Sequence, residues 1–218
     1  MHVRLSLLTA DPNKIDDVVK YVANDARSIV EDKPGNLGMS MAVNELGVAV
    51  VESFWVSGDA MRESERQVSA TRVEAARRGG GTVSVEHYAV ASVVQVDKPA
   101  VGAGMRFTRA DVDLTKVDAA IAAYEDSAVP WLTEITGFCA ARLYIDRRTG
   151  RSITEGLWTD RPALVKSRAV AATIRTDTVA ATGAVIRAVE EYQLVFTSGG
   201  IRSIASAVHA TVSNNGSD

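Results

Sequence analysis

Glu52-Ser53-Phe54-Trp55 and Glu155-Gly156-Leu157-Trp158 read as two versions of one strand end, 103 residues apart. Outward from there, the same offset sets Ala60, Ser64 and Arg72 against Ala163, Ser167 and Arg175. Toward the start of each copy, Asp11, Lys14 and Asp16 meet Asp113, Lys116 and Asp118 at an offset of 102. Toward the end, Val85-Glu86-His87-Tyr88 meets Val189-Glu190-Glu191-Tyr192 at 104. So small a drift over a whole copy marks a tandem duplication. The repeats are 1–98 and 103–198, and the joint between them carries Pro99 and Gly102.

Each copy reads β-α-β-β-α-β. In the first, residues 2–9 suit a strand, and Ile15, Val18, Val19, Val22, Ala26, Ile29 and Val30 recur at helical spacing over 13–32. Lys33-Pro34-Gly35 stops that helix. Strands follow at 38–43 and 48–55, then a helix from about Ser57 to Arg78 closed by Gly79-Gly80-Gly81, then a strand at 82–96. The second copy gives strand 103–109, helix 114–134, strands 138–145 and 151–158, helix 160–181 and strand 184–197. Such units form a four-stranded antiparallel sheet with both helices on one face. The other face is apolar here and needs cover. The expected fold class is therefore α+β, with two ferredoxin-like repeats packed sheet to sheet as an intramolecular α+β barrel of eight strands. In the tail, 199–218, Ile201, Ile204, Val208 and Val212 are spaced for one short helix.

Composition narrows the partners. The 218 residues carry a net charge of −3 and are 46% apolar. A weakly acidic chain has no electrostatic pull toward nucleic acid or an anionic membrane. No apolar run approaches the ~18 residues of a membrane span. Met1-His2-Val3-Arg4-Leu5 lacks the order of a signal peptide. The lone Cys139 fits a reducing compartment, so the expected location is cytoplasmic, and the thiol reads as buried and inert. His2, His87 and His209 have no metal-ligand spacing. Gly79-Gly80-Gly81 ends a helix instead of opening one, so it is no phosphate loop. The expectation is no metal and no cofactor, with a small apolar or aromatic ligand as partner and a homodimer of the two-repeat chain as an option.

The order of elements, with Trp55-Val56-Ser57-Gly58-Asp59-Ala60-Met61 and Trp158-Thr159-Asp160-Arg161-Pro162-Ala163-Leu164, resembles the dimeric α+β barrel superfamily. Within it the chain is similar to the antibiotic biosynthesis monooxygenase (ABM)-like group. The resemblance spans about 1–197, with both copies in one chain instead of two. It implies a site between a copy's sheet and its helices. It also implies either cofactor-independent oxidation of phenols, haem degradation, or a non-catalytic ligand-binding or structural role. Haem-binding members carry a His nine residues after the Trp, where this chain has Ser64 and Ser167. Haem degraders add an Asn on the first strand, which Leu5-Ser6-Leu7 and Arg106-Phe107-Thr108 lack. The expected function is thus a cofactor-independent ABM-like monooxygenase for a small phenol- or quinol-type compound. The alternative is a non-catalytic small-ligand-binding or structural barrel.

Seven residues carry the candidate chemistry. Trp55 and Trp158 offer an indole N–H and a flat face to a ring, or simply fill space. Arg72 and Arg175 fall on the inward side of the second helices, where a guanidinium holds an anion or snorkels to solvent. His87 shares an apolar face with Val83, Val85 and Ala89, and suits a base near neutral pH. Tyr88 and Tyr192 match each other as donors or packing groups. Because Glu191 replaces the imidazole in the second copy, the first copy is the expected working site. There His87 would be the base, Arg72 the anion holder, and Trp55 or Tyr88 the ring-positioning group.

Overall fold

A computed structural model describes residues 1–199; the tail helix suggested by Ile201, Ile204, Val208 and Val212 lies outside them. The first repeat runs β1 (His2–Thr9), a short 3-10 turn, α1 (Ile15–Tyr21), a π-helical turn (Val22–Ala26), α2 (Arg27–Glu31), β2 (Asn36–Val43), β3 (Val48–Trp55), α3 (Gly58–Gly79) and β4 (Thr82–Gln95). The second runs β5 (Gly104–Asp111), a 3-10 turn, α4 (Val117–Ala123), a π-helical turn (Tyr124–Ala128), α5 (Val129–Thr133), β6 (Phe138–Ile145), β7 (Arg151–Trp158), α6 (Arg161–Lys166), α7 (Arg168–Thr182) and β8 (Val185–Thr197).

The residues matched between copies are often the local signals that start and stop these elements. Asp11 and Asp113 accept from the N–H groups of Asn13 and Thr115, at 2.9 and 2.8 Å. Ser57 and Asp160 cap α3 and α6 by accepting from Ala60 and Ala163. Gly80 and Gly183 end α3 and α7 in the left-handed region, which glycine enters without a Cβ clash. Three readings of continuous helices are refined. The helices expected at 13–32 and 114–134 each contain a π turn, and the one expected at 160–181 breaks at Ser167.

All described strands are antiparallel in the pairings β1·β3, β2·β3, β5·β7, β6·β7 and β5·β8. The full order closes as β1-β3-β2-β8-β5-β7-β6-β4, an eight-stranded barrel within one chain. The long last strand of the first repeat makes part of that closure: Ala89–Gln95 of β4 pair with Ile145–Ala140 of β6. Two compact units result, Met1–His87 with residues 195–199, and Tyr88–Leu194. In the first unit, Val18, Val22, Met39, Val51, Trp55, Met61 and Val68 form the core between sheet and helices. Tyr124, Leu132, Leu143, Trp158 and Leu164 do the same in the second. No helix among the described residues is long and apolar enough to cross a membrane.

Candidate functional site

In the first repeat the expected groups are close together and already satisfied. Trp55 is fully buried, and its Nε1 donates to Ser53 Oγ at 3.0 Å. Arg72 donates to Glu65. Glu65 also pairs with Arg4 at 3.1 Å. Arg4 is a buried guanidinium on β1 that lies 5.2 Å from the Trp55 ring centroid. It donates to Ser64 Oγ at 3.0 Å, to the Met61 carbonyl, and from Nε to His87 Nε2 at 3.4 Å. Burial, then the Arg4 charge, holds the His87 pKa below 6.5, so the ring is a neutral acceptor toward Arg4. Burial likewise lowers Arg4 to about 10. The space left beside these groups is about 30 Å³, enough for a water or two.

The second repeat uses the same frame with three exchanges. Arg106 stands where Arg4 does, 4.9 Å from the Trp158 ring centroid. It donates to Ser167 Oγ and the Leu164 carbonyl, both at 2.9 Å, and pairs with Glu191 at 2.8 Å. Glu191 replaces His87, and Arg168 replaces Glu65, so the carboxylate moves from helix to strand and pairs with Arg168 as well. Burial pushes the Glu191 carboxyl up, but hydrogen bonds from Arg168 and Arg106 outweigh it and leave its pKa below the usual range. Arg175, the counterpart of Arg72, therefore loses its carboxylate. It makes no hydrogen bond or ion pair among the described residues, and burial, then Arg106, lowers its pKa. Gly156 replaces Ser53. A Cβ there would sit 2.6 Å from the six-membered edge of Trp158, so the glycine makes room for that ring position. The Trp158 Nε1 is left buried without a partner.

These exchanges surround a cavity of about 100 Å³ lined by Arg106, Tyr124, Gly156, Trp158, Ile174 and Arg175, among mostly apolar neighbours. The π turn carries Tyr124 and Ala128 into that wall. The Tyr124 hydroxyl is also buried without a partner, and burial, then Glu155, raises its pKa. Ala171, where the first repeat has Val68, supplies further room. A groove of about 470 Å³ outside the helices, between Trp131 and α7, shares Ala128, Ile174 and Thr178 with the cavity, so it leads to the cavity's outer wall.

Of the expected site residues, His87, Arg72 and Trp55 gather around Arg4, while Trp158 and Arg175 line the second-repeat cavity. Tyr88 and Tyr192 join neither group. Tyr192 packs edge-on against Phe107, 5.9 Å between centroids, on the sheet face opposite Glu191. Tyr88 follows His87, and strand alternation sends it to the opposite face. Sequence reasoning missed Arg4 and Arg106, the guanidinium at the centre of each cluster, and Tyr124. The signal for the pair was present: Arg4 and Arg106 match at the offset of 102, each amid apolar strand residues. Ser64 and Ser167, at the haem-ligand positions, are buried hydroxyls committed to Arg4 and Arg106. Cys139 is buried, with burial raising its thiol pKa. No group of three or more metal-ligating side chains occurs among the described residues.

No family model matches the chain. It is 28% identical over 169 residues to the uncharacterized protein Rv2557 of Mycobacterium tuberculosis, covering 77% of this chain and 75% of that one. Its structure is similar to that of an anthrone oxidase-like protein, with a TM-score of 0.68 and 18% identity over 90% of this chain and 92% of the other. It is also similar to a ferredoxin-fold protein of Listeria monocytogenes related to antibiotic biosynthesis monooxygenases, with a TM-score of 0.51 and 8% identity over 88% and 93%. The chain thus shares the fold of these proteins, an α+β barrel, with the whole barrel in a single polypeptide.

Proposed function

We propose that the second repeat binds a small phenol- or quinol-type ring and that the chain oxidises it with O₂ as a cofactor-independent monooxygenase. One observation carries this reading: three donors without acceptors, Arg175, Trp158 Nε1 and the Tyr124 hydroxyl, line one apolar cavity. Such donors favour a phenolate over a phenol, because an oxyanion accepts what they have to give. A phenolate is rich in electrons at its ring carbons and can supply O₂ directly. In the balanced reaction, a phenol with a free para C–H and O₂ give the quinone and water. One oxygen atom enters the ring, the other leaves as water, and the substrate supplies all four electrons. At about 100 Å³ the cavity is smaller than the ~150 Å³ apolar site that holds benzene, so one ring is the upper limit and its entry requires the wall to give way. The anthrone oxidase-like neighbour lends support through its name.

We place the proposed site in the second repeat instead of the first, a reading supported by the first repeat's smaller space of about 30 Å³ and its paired donors. A non-catalytic ligand-binding role is the second reading. It is favoured by Glu191, whose pairing with two arginines makes it a poor base. An oxygen electrode separates the two. Single-ring phenols with a free para position should drive O₂ uptake that Trp158→Phe and Tyr124→Phe each reduce about a hundredfold, the scale of one oxyanion hydrogen bond. Binding without uptake across such a panel favours the second reading.

A further inference from the structure

Three groups of the second-repeat cavity are left without acceptors, Arg175, Trp158 Nε1 and the Tyr124 hydroxyl, and one of them is a cation. The first repeat sets Arg4 and Arg72 against Glu65 beside a neutral His87. The second sets Arg106, Arg168 and Arg175 against the single carboxylate of Glu191. Glu191 is consumed by Arg106 and Arg168, so the surplus charge falls on Arg175, which faces the cavity. A neutral phenol oxygen would satisfy one or two donors and leave that charge unbalanced. A carboxylate has two oxygens, about four lone-pair sites, and the planar shape that a guanidinium fork engages in two parallel hydrogen bonds. The remaining wall, with Ile121, Leu132, Leu143 and Ile174, is suited to the face of a ring.

We propose that the second-repeat cavity is selective for anions and that its ligand is a single-ring aromatic carboxylate. Arg175 takes the carboxylate, Trp158 Nε1 and the Tyr124 hydroxyl remain for the ring's phenolic oxygen, and the ring lies on the apolar wall. This inference rests on the second-repeat cavity being the ligand site, and it deepens that reading by naming the substrate class as hydroxylated aromatic acids. A 3-hydroxybenzoate-type acid keeps a free para position, so the quinone-forming stoichiometry is unchanged.

The test is calorimetric titration of the full chain with benzoate and with its neutral isostere benzamide at pH 7.5. The wild-type chain should prefer benzoate at least tenfold, about the weight of one hydrogen bond to a charged group. Arg175→Gln should weaken benzoate at least tenfold and bring the two affinities within about twofold. Arg168→Glu, which restores the carboxylate position of Glu65, should do the same by pairing with Arg175 internally. Equal affinities in the wild type, no benzoate binding, or a preference that survives Arg175→Gln would each overturn the proposal. The two readings fail separately. Benzoate preference without O₂ uptake from any phenol removes the oxygenase alone, and uptake from neutral phenols without benzoate preference removes anion selectivity alone.

Discussion

Ser53 and Gly156 hold the same place in two repeats, and the difference between them decides whether the neighbouring indole N–H is paired. The hydroxyl ties down the Trp55 N–H in the first copy; the bare Cα lets the Trp158 ring shift and leaves its N–H unpaired in the second. An unmade hydrogen bond inside a protein costs roughly 1–3 kcal/mol, a cost that a bound acceptor removes. The His87/Glu191 exchange was legible in the sequence, but its meaning was not. It depends on Glu65 and Arg168, a helix turn whose charge inverts in step with the strand. His87 itself gives a pH signature. Its folded pKa lies below the 6.5 of an ordinary imidazole, so the unfolded chain takes up the proton first. The stability it contributes is complete above about pH 6.5 and is lost as pH falls below that value through the folded pKa. Urea unfolding at pH 7.5, 6.5 and 5.5 should show stability declining with pH, with a shallower decline in His87→Gln. An unchanged slope in the variant would mean that the imidazole is not held neutral against Arg4.

At the scale of elements, the two repeats differ most in how their helices meet the sheet. A start signal, a glycine stop and the repeat located the described helices beyond 13–32. Helical periodicity located the one at 13–32, because apolar residues three and four apart mark one face. The π turns at Val22–Ala26 and Tyr124–Ala128 were hidden from it, since an apolar pair four apart fits either winding. In the second repeat that turn is what carries Tyr124 into the cavity wall. The α7 helix contributes the space: Ala171 occupies the place of Val68. Ala171→Val should fill part of the cavity and raise stability by about 1 kcal/mol by urea unfolding. The same change should abolish O₂ uptake and benzoate binding. A variant more stable yet fully active would place the ligand elsewhere.

At the scale of the molecule, the duplication read from matched residues corresponds to a barrel closed within one chain. The repeat boundary could not be read as a structural boundary, because β4 begins in one compact unit and ends in the other. A chain cut after residue 98 leaves Ala89–Gln95 without β6 and β2 without β8. Exposed strand edges seek partners. Residues 1–98 expressed alone should therefore dimerise or aggregate in light scattering after gel filtration, and a folded monomer would contradict the interlocked barrel. The central claim, that ligand chemistry belongs to the second repeat, is tested most directly by the indole ¹H–¹⁵N resonances of Trp55, Trp131 and Trp158. These are assigned with single Trp→Phe variants and titrated anaerobically with 3-hydroxybenzoate. The Trp158 resonance should move as its unpaired N–H gains an acceptor, while that of Trp55, bonded to Ser53, stays fixed. Movement of Trp55 with Trp158 unchanged would contradict the account.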